Sequence, residues 1–285
     1  MPVTSAWPEP AEQALLDVAG RLRAAGCVYA EDEAALLLEA AGEGAALDRL
    51  VARRAAGEPL EHLLGWAEFA GLRIAVGPGV FVPRRRSELL VRLAAEHLSR
   101  PPAVIVDLCC GSAALGAALA ARLASAGWAP GNSEVHATDV DPAVADYARR
   151  NLDLAAPSGT RVYTGDLYEP LSDSLRGRVD VILANAPYVP TDEIRFMPTE
   201  ARDHEPAAAL DGGADGLDLH RRIAAEAPRW LAPGGILLME VSEAQAPEAL
   251  RILAGVGLDA RSEEDEELGA VAVAGIREHG APRRL

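Results

Sequence analysis

The residues with the clearest chemical potential form a short turn, Asn185-Ala186-Pro187-Tyr188, directly after an apolar run at 179–184. The run predicts a buried strand, and the proline predicts a rigid turn at its end. Such a turn offers a side-chain amide, a free backbone carbonyl and an aromatic face. These groups could hold a planar nitrogen, which indicates a group-transfer enzyme. The alternative is structural: asparagine before a proline-containing turn often only builds that turn.

A second candidate site begins where an apolar strand ends at Asp107 and a turn containing Gly111 leads into a helix. Small residues there let the backbone approach a ligand and leave its amides free. The next two predicted strands end at Asp139 and Asp166. The first carboxylate could accept both hydroxyls of a ribose, and the second could accept from an adenine amine. One such aspartate alone could simply cap a helix, but their order favours an adenosine site.

The glycine pattern of this site differs from a dinucleotide fingerprint. Cys109 and Ala113 occupy positions where that fingerprint would have glycines. An adenosine without a pyrophosphate is therefore the better fit, and NAD is disfavoured.

Strand and helix patterns alternate through most of the chain, which predicts an α/β fold with a mostly parallel, doubly covered sheet. The expected strands are 103–107, 134–138, 160–164, 179–184, 235–241 and 269–276. The expected helices are 113–126, 142–154, 217–230 and 245–255. The charged run 263–267 is expected to be a solvated loop.

The first 83 residues show different patterns. Apolar residues at helical spacing predict a small helical bundle within 9–57, and alternation within 64–82 predicts a β-hairpin. A helix is expected to open at 84–88, with Ser87 as its cap. We therefore divide the chain into a helical docking domain (1–63), a hairpin linker (64–83) and a catalytic domain (84–285).

Composition narrows the function classes. The 285 residues carry a net charge of −16, which disfavours a nucleic-acid substrate. The three cysteines, Cys27, Cys109 and Cys110, suggest no disulfide framework, and no ligand spacing predicts a metal site. Without an apolar run of about 18 residues, the protein is predicted to be cytosolic with no membrane partner. The sequence does not predict an oligomeric state.

Taken in order, these motifs resemble a known family. Asp-x-x-x-Gly at 107–111, Thr-Asp-Val-Asp-Pro at 138–142, Gly-Asp at 165–166 and Asn-x-Pro-Tyr look like an N-methylating class I S-adenosylmethionine-dependent methyltransferase. The stretches 58–65, 69–72, 78–84, 203–206 and 210–217 resemble the HemK/PrmC family. Those enzymes are protein-(glutamine-N5) methyltransferases that modify the Gly-Gly-Gln loop of peptide-chain release factors.

The resemblance implies a helical bundle, a hairpin and a seven-stranded sheet, with S-adenosyl-L-methionine as cofactor and a release factor as protein substrate. The implied cofactor-binding residues are Asp107, Cys109, Gly111, Asp139, Asp166, Leu167 and Asn185. The implied catalytic residues are Asn185, the Ala186 carbonyl, Pro187 and Tyr188.

Three departures from the family pattern leave alternatives open. Ala186 replaces the first proline of Asn-Pro-Pro-Tyr, two loop glycines are absent, and Arg86 occupies an acidic position of Pro-Arg-Pro-Glu-Thr-Glu. One alternative is methylation of an exocyclic base amine, and another is a binding module that has lost its cofactor. The arginines 84–86 could meet an acidic partner or RNA phosphate, or could be a solvated helix start.

Overall fold

The computed structural model describes residues 9–156 and 158–278. The first residues of the predicted docking domain and the last residues of the predicted catalytic domain lie outside these ranges. The described part is a mixed α/β structure with one large sheet and one hairpin, which confirms the predicted fold class.

The large sheet has seven strands in the order β5-β4-β3-β6-β7-β9-β8. Its strands are β3 Ala103–Leu108, β4 Ser133–Asp139, β5 Thr160–Thr164, β6 Val179–Ala184, β7 Leu231–Val241, β8 Asp259–Asp265 and β9 Ala270–Ile276. The first five strands in the spatial order run parallel, and β9 and β8 pair antiparallel. Because β3 lies between β4 and β6, the strand order reverses there, and ligands in such sheets bind beyond that point.

Helices cover both faces of the sheet. They are α5 Glu88–His97, α6 Ala114–Ser125, α7 Ala145–Ala155, α8 Thr199–His204, α9 Asp218–Trp230 and α10 Ala246–Gly255. One apolar core packs α5, α6 and α7 on one face. A second core packs α9 and α10 on the other. The near-continuous apolar strands between them are typical of a sheet buried on both sides.

The N-terminal helices have a core of their own. They are α1 Glu9–Ala24, α2 Ala30–Ala41, α3 Ala45–Ala55 and α4 Leu60–Leu64. Leu22, Leu37 and Val51 are fully buried among them. Beneath this core, buried Arg54 pairs with Glu33 at 2.6 Å and also reaches Glu200 of α8 at 2.6 Å. The helices are therefore tied to the larger lobe by an ion pair.

The hairpin consists of β1 Trp66–Phe69 and β2 Leu72–Ala75, shorter than the predicted stretch. Its turn residues, Ala70 and Gly71, both have positive φ, at 50° and 77°. Two consecutive positive φ values are the type I′ geometry that favours the twist of a hairpin.

Two local predictions are wrong. Residues 263–265 belong to β8 rather than to a solvated loop, because pairing with β9 satisfies the backbone of this edge strand while Glu264 stays exposed and Asp265 pairs with Arg92. Ser87 does not cap α5: it ends a short 3₁₀ turn, Arg85–Ser87, and is buried with its hydroxyl turned to Asn185.

Candidate active site

A pocket that opens to solvent lies where the carboxyl ends of β3, β4, β5 and β6 meet. Its walls combine apolar side chains with a few carboxylate, hydroxyl and amide groups. The predicted site residues that line it are Cys109, Gly111, Asp139, Asp166, Leu167, Asn185 and Pro187. Sequence reasoning thus identified seven residues that the fold brings together from four strand ends.

The loop after β3, residues 109–113, forms one wall and has an unusual backbone. Cys109, Gly111 and Ala113 have φ values of 53°, 51° and 57°, in the left-handed region. That region costs a residue with a Cβ roughly 1–2 kcal/mol. The loop is held by short backbone contacts, including the Gly111 N–H, which donates to Asp139 Oδ2 at 2.8 Å. The direction Cβ would take at Gly111 is open space, so a ligand can approach this backbone closely.

Asp107 lies under this loop rather than in the pocket wall, which differs from the direct cofactor contact that we expected. It is fully buried, and its Oδ2 accepts from the Gly116 N–H at 2.9 Å. Its Oδ1 has no partner in the described residues. Burial raises the pKa of Asp107 to about 7, with the Gly116 hydrogen bond opposing the shift and nearby Asp139 adding to it. Its hydrogen bond supports the first turn of α6, which follows the loop.

The acidic ends of β4 and β5 do reach the pocket. Asp139 accepts from the Asp141 N–H at 3.0 Å in addition to the Gly111 contact, and burial raises its pKa. Asp166 pairs with Arg222 of α9 at 2.6 Å and is about two-fifths exposed. Leu167, with φ at 49°, is buried beside it. This wall therefore presents the carboxylates of Asp139 and Asp166 beside the apolar side chain of Leu167.

The turn after β6 forms the opposite wall. Asn185 lines the pocket, and its Nδ2 donates to Ser87 Oγ at 3.0 Å. Its Oδ1, the acceptor atom of this side chain, has no hydrogen-bond partner among the described residues. Ala186 is buried, and neither its N–H nor its carbonyl joins a backbone hydrogen bond within the described ranges. Pro187 completes the wall, whereas Tyr188 lies behind it.

This arrangement agrees with comparisons with known proteins. Residues 71–201 match the methyltransferase small domain. A release factor glutamine methyltransferase of Geobacter sulfurreducens is 41% identical over 75% of this chain and 72% of its own length. Its counterpart in Bifidobacterium longum is 35% identical over 84% of both chains.

The chain belongs to the release factor glutamine methyltransferase family. A methyltransferase structure from Pyrococcus furiosus shares the fold, with a TM-score of 0.53 at 20% identity over 73% of this chain and 90% of its own. This likeness supports the class I methyltransferase architecture. None of the described helices is long and apolar enough to cross a membrane, and the cytosolic location stays a prediction.

The pocket suits S-adenosyl-L-methionine, the cofactor that this family implies. Asp139 can accept ribose hydroxyls with its remaining lone pairs, and Asp166 can accept from the adenine amine. Apolar residues on several elements offer surface to the purine, namely Leu115, Val144, Leu167 and Leu219. The open direction at Gly111 leaves room for backbone contact. The donor and acceptor set present in the wall therefore fits an adenosine without a phosphate.

Sequence reasoning missed the residues behind the turn. Tyr188 donates its hydroxyl to Glu240 Oε1 of β7 at 2.9 Å, and Gln245 Nε2 donates to the Tyr188 carbonyl at 2.8 Å. Burial, followed by the charge of Glu240, raises the pKa of Tyr188 well above its usual range. No local signal in the sequence marks these residues, because each is more than 50 positions from Tyr188.

Two of the three linker arginines are held internally, contrary to both roles that we considered. Arg84 pairs with buried Glu205 at 2.7 Å, and Glu205 also accepts from the Val82 N–H at 3.1 Å. Arg86 pairs with Glu240 at 2.9 Å. Arg85 is exposed and has no ion pair among the described residues. The first pair fixes the linker against the segment that follows α8, whose Pro206 also lines the pocket.

Proposed function

We propose that this protein transfers a methyl group from S-adenosyl-L-methionine to the side-chain amide nitrogen, N5, of a glutamine in a peptide-chain release factor. Family membership supports the reaction class and the substrate. The observation that carries the proposal is the Asn185 amide at the pocket wall: its nitrogen donates to Ser87, and its oxygen accepts no hydrogen bond from the described residues. Asn185 can therefore act as an acceptor for a substrate NH₂ group.

The chemistry requires orientation, because the lone pair of an amide nitrogen is delocalised into its carbonyl. The cofactor, when bound, supplies an electrophilic methyl group on a sulfonium. Asn185 Oδ1 and the Ala186 carbonyl each accept one N–H of the substrate amide. This places the nitrogen for in-line attack and favours the positive charge that develops on it. Pro187 packs beside the amide and excludes water, and Tyr188 supports the turn from behind the wall rather than stacking on the amide. The nitrogen releases a proton after transfer, so a general base is not needed.

The N-terminal helices belong to the same proposal as a docking site for the protein substrate. Their support is the ion pair from Arg54 to Glu200, which fixes them beside α8 and hence beside the pocket wall at 206–209. The domain limits 1–63, 64–83 and 84–285 are part of this proposal.

Mass spectrometry of the methyl acceptor tests the function. Purified release factor is incubated with the protein and cofactor, and we expect one added methyl group on a single glutamine. Asn185→Ala should lower turnover by about a thousandfold, since an essential positioning contact is lost. Its cofactor affinity by calorimetry should stay within about twofold of wild type, since a single wall contact is lost.

The control is Arg85→Gln, which alters an exposed side chain near the pocket and should leave turnover unchanged. Methylation of nucleic acid with no change in the release factor would contradict the proposal in favour of a base amine. Loss of cofactor binding in Asn185→Ala with turnover retained would contradict the role of Asn185.

A further inference from the structure

The acceptor turn, residues 185–188, is restricted by its own backbone at Pro187 but not at Ala186. Alanine at 186 leaves φ free over a range that proline would restrict. Neither backbone group of Ala186 is hydrogen-bonded in the described ranges. The position of the turn must therefore depend on contacts from outside it.

Those contacts come to a large extent from the 3₁₀ turn Arg85–Ser87. Ser87 holds the first residue of the acceptor turn through the Asn185 amide at 3.0 Å. Arg86 reaches the last residue indirectly, because its Nε donates to Glu240 Oε1 at 2.9 Å. The Tyr188 hydroxyl donates to that same oxygen at 2.9 Å. Ser87 thus contacts the first residue of the acceptor turn directly, and Arg86 shares the Glu240 carboxylate with the last residue.

The contact between Arg86 and Tyr188 runs through Glu240, whose carboxylate is buried. Its side chain is only 3% exposed, and its Oε2 is buried without a partner in the described residues. A buried carboxylate needs a paired charge, and Arg86 is its partner. The Arg86 guanidinium carbon also lies 5.8 Å from the centre of the Tyr188 ring. This buried charge keeps Arg86 in place although its own side chain is 44% exposed.

We propose that Arg86, anchored on Glu240, is a positioning residue that holds Tyr188 and so sets the geometry of the acceptor turn. This inference rests on the proposed function for its kinetic consequence. Independently of the reaction, the Arg86–Glu240 ion pair replaces, from outside, a restriction on the turn that Ala186 does not provide.

Kinetics of Arg86→Gln provide the first test, measured below the melting temperature of every variant. We expect kcat to fall about tenfold or more, because small misplacements of positioned groups have large effects on rate. The KM for cofactor should change by less than about twofold, since Arg86 is not in the pocket wall. Arg86→Lys retains a cation near Glu240 and should recover most of the loss. Arg85→Gln, the matched control, should behave as wild type.

Hydrogen exchange provides a readout that does not depend on activity. The N–H groups of residues 185, 186, 188 and 189 should exchange about tenfold faster in Arg86→Gln than in Arg85→Gln, because the turn opens more easily when this contact is lost. Should Arg86→Gln fail to fold, Tyr188→Phe removes the hydroxyl tie while leaving the ion pair, and should accelerate the same amides.

A double-mutant cycle tests whether the Arg86–Glu240 ion pair compensates for the absence of a proline at position 186. If the ion pair substitutes for a proline, Arg86→Gln should accelerate exchange less in the Ala186→Pro background than in the wild-type background. Equal exchange and kcat in the Arg86→Gln and Arg85→Gln variants would overturn the inference. A wild-type protein that methylates no glutamine would instead count against the proposed function, while the exchange experiment would still decide the positioning role.

Discussion

The two walls of the pocket are held in place in different ways. The loop at 109–113 has a strained backbone, because Cys109 and Ala113 sit in the left-handed region, and Asp139 and Asn151 hold it by hydrogen bonds from outside. The acceptor turn has outside contacts as well, from Ser87 and from the segment that contains Glu240 and Gln245. The loop therefore depends on its own backbone conformation in addition to its surroundings, whereas the acceptor turn depends mainly on its surroundings.

This difference predicts where substitutions will have effects. In the loop, the sensitive positions are within the loop or directly beneath it. Around the acceptor turn, residues distant in sequence should matter as much as the turn itself. The substitutions below examine the two walls and then a control turn outside both.

Gly216→Ala should have the largest effect. Gly216 has φ at 77°, and a Cβ there would overlap the Tyr188 carbonyl oxygen and Gln245 Nε2. Backbone strain and steric overlap together should cost about 2–4 kcal/mol of the free energy of unfolding. Displacement of the acceptor turn should lower kcat by about a hundredfold. Urea unfolding and steady-state kinetics measure the two effects.

Gly20→Ala is the matched control for this change. Gly20 lies within α1 and has nothing within 4 Å of its Cβ direction. Alanine is the better helix former, so the free energy of unfolding should rise by roughly 0.5–1 kcal/mol. Similar losses of activity in both variants would contradict the proposal that the close packing of Gly216 against Tyr188 positions the acceptor turn.

Asp107→Asn should change how stability depends on pH. Because the pKa of folded Asp107 is raised from 3.8 to about 7, the folded protein holds a proton that the unfolded chain releases between these values. The contribution of protonated Asp107 to the free energy of unfolding of the wild type is therefore lost as pH rises from about 4 to 7. Its slope is up to about 1.4 kcal/mol per pH unit. The variant lacks this contribution.

Urea unfolding at pH 5 and pH 8 measures the difference in slope. The variant should gain stability relative to wild type as pH rises, whatever the fixed cost of burying its amide. Parallel pH profiles of the two proteins would show that Asp107 does not carry this titration.

Comparison of Cys109→Gly with Cys109→Ala isolates backbone strain in the loop. Both variants lose the thiol, but only alanine keeps a Cβ at φ 53°. The glycine variant should be more stable than the alanine variant by about 0.5–1 kcal/mol, since glycine tolerates positive φ. Thermal unfolding gives the difference, and equal stabilities would mean that the loop relaxes without strain.

Ala70→Asn should have the smallest effect. This residue occupies the first position of the type I′ hairpin turn, where asparagine followed by glycine is preferred. We expect a gain of about 0.5 kcal/mol in the free energy of unfolding, as for other improved turns. Because the turn is outside the pocket, turnover should be unchanged. Lower activity would show that the hairpin tip contributes to the site.

Sequence reasoning predicted most of the sheet because its central strands are apolar and end at polar turns. Residues 179–184 and 160–164 were predicted with the observed bounds. Strand β8 was missed because its sequence is largely charged, and edge pairing with β9 is invisible in a local pattern. The hydrophobic pattern of a segment indicates how deeply that segment is buried, but it does not indicate which strand will pair with it.

The site divides in the same way. Asp139 and Asn185 could be predicted because they end strands and carry the expected functional groups. Ser87, Glu240 and Arg86 could not be predicted, because their contacts join residues at least 98 positions apart for Ser87 and 154 for Arg86. Ser87 even gave a misleading local signal as a helix cap, which tertiary contact with Asn185 overrides.

The Asn151 side chain connects the hairpin to the cofactor wall. It accepts from the Ala75 N–H at 2.7 Å, and its Nδ2 donates to the Ala75 carbonyl at 3.0 Å and to the Ser112 carbonyl at 2.9 Å. The buried Asn151 carboxamide thus pairs with the backbone of β2 as a neighbouring strand would, and it also holds residues 109–113 by a hydrogen bond. Detachment of β2 would also break the hydrogen bond from Asn151 to Ser112. The backbone amides of β2 and of residues 109–113 should therefore exchange with deuterium in a single opening event.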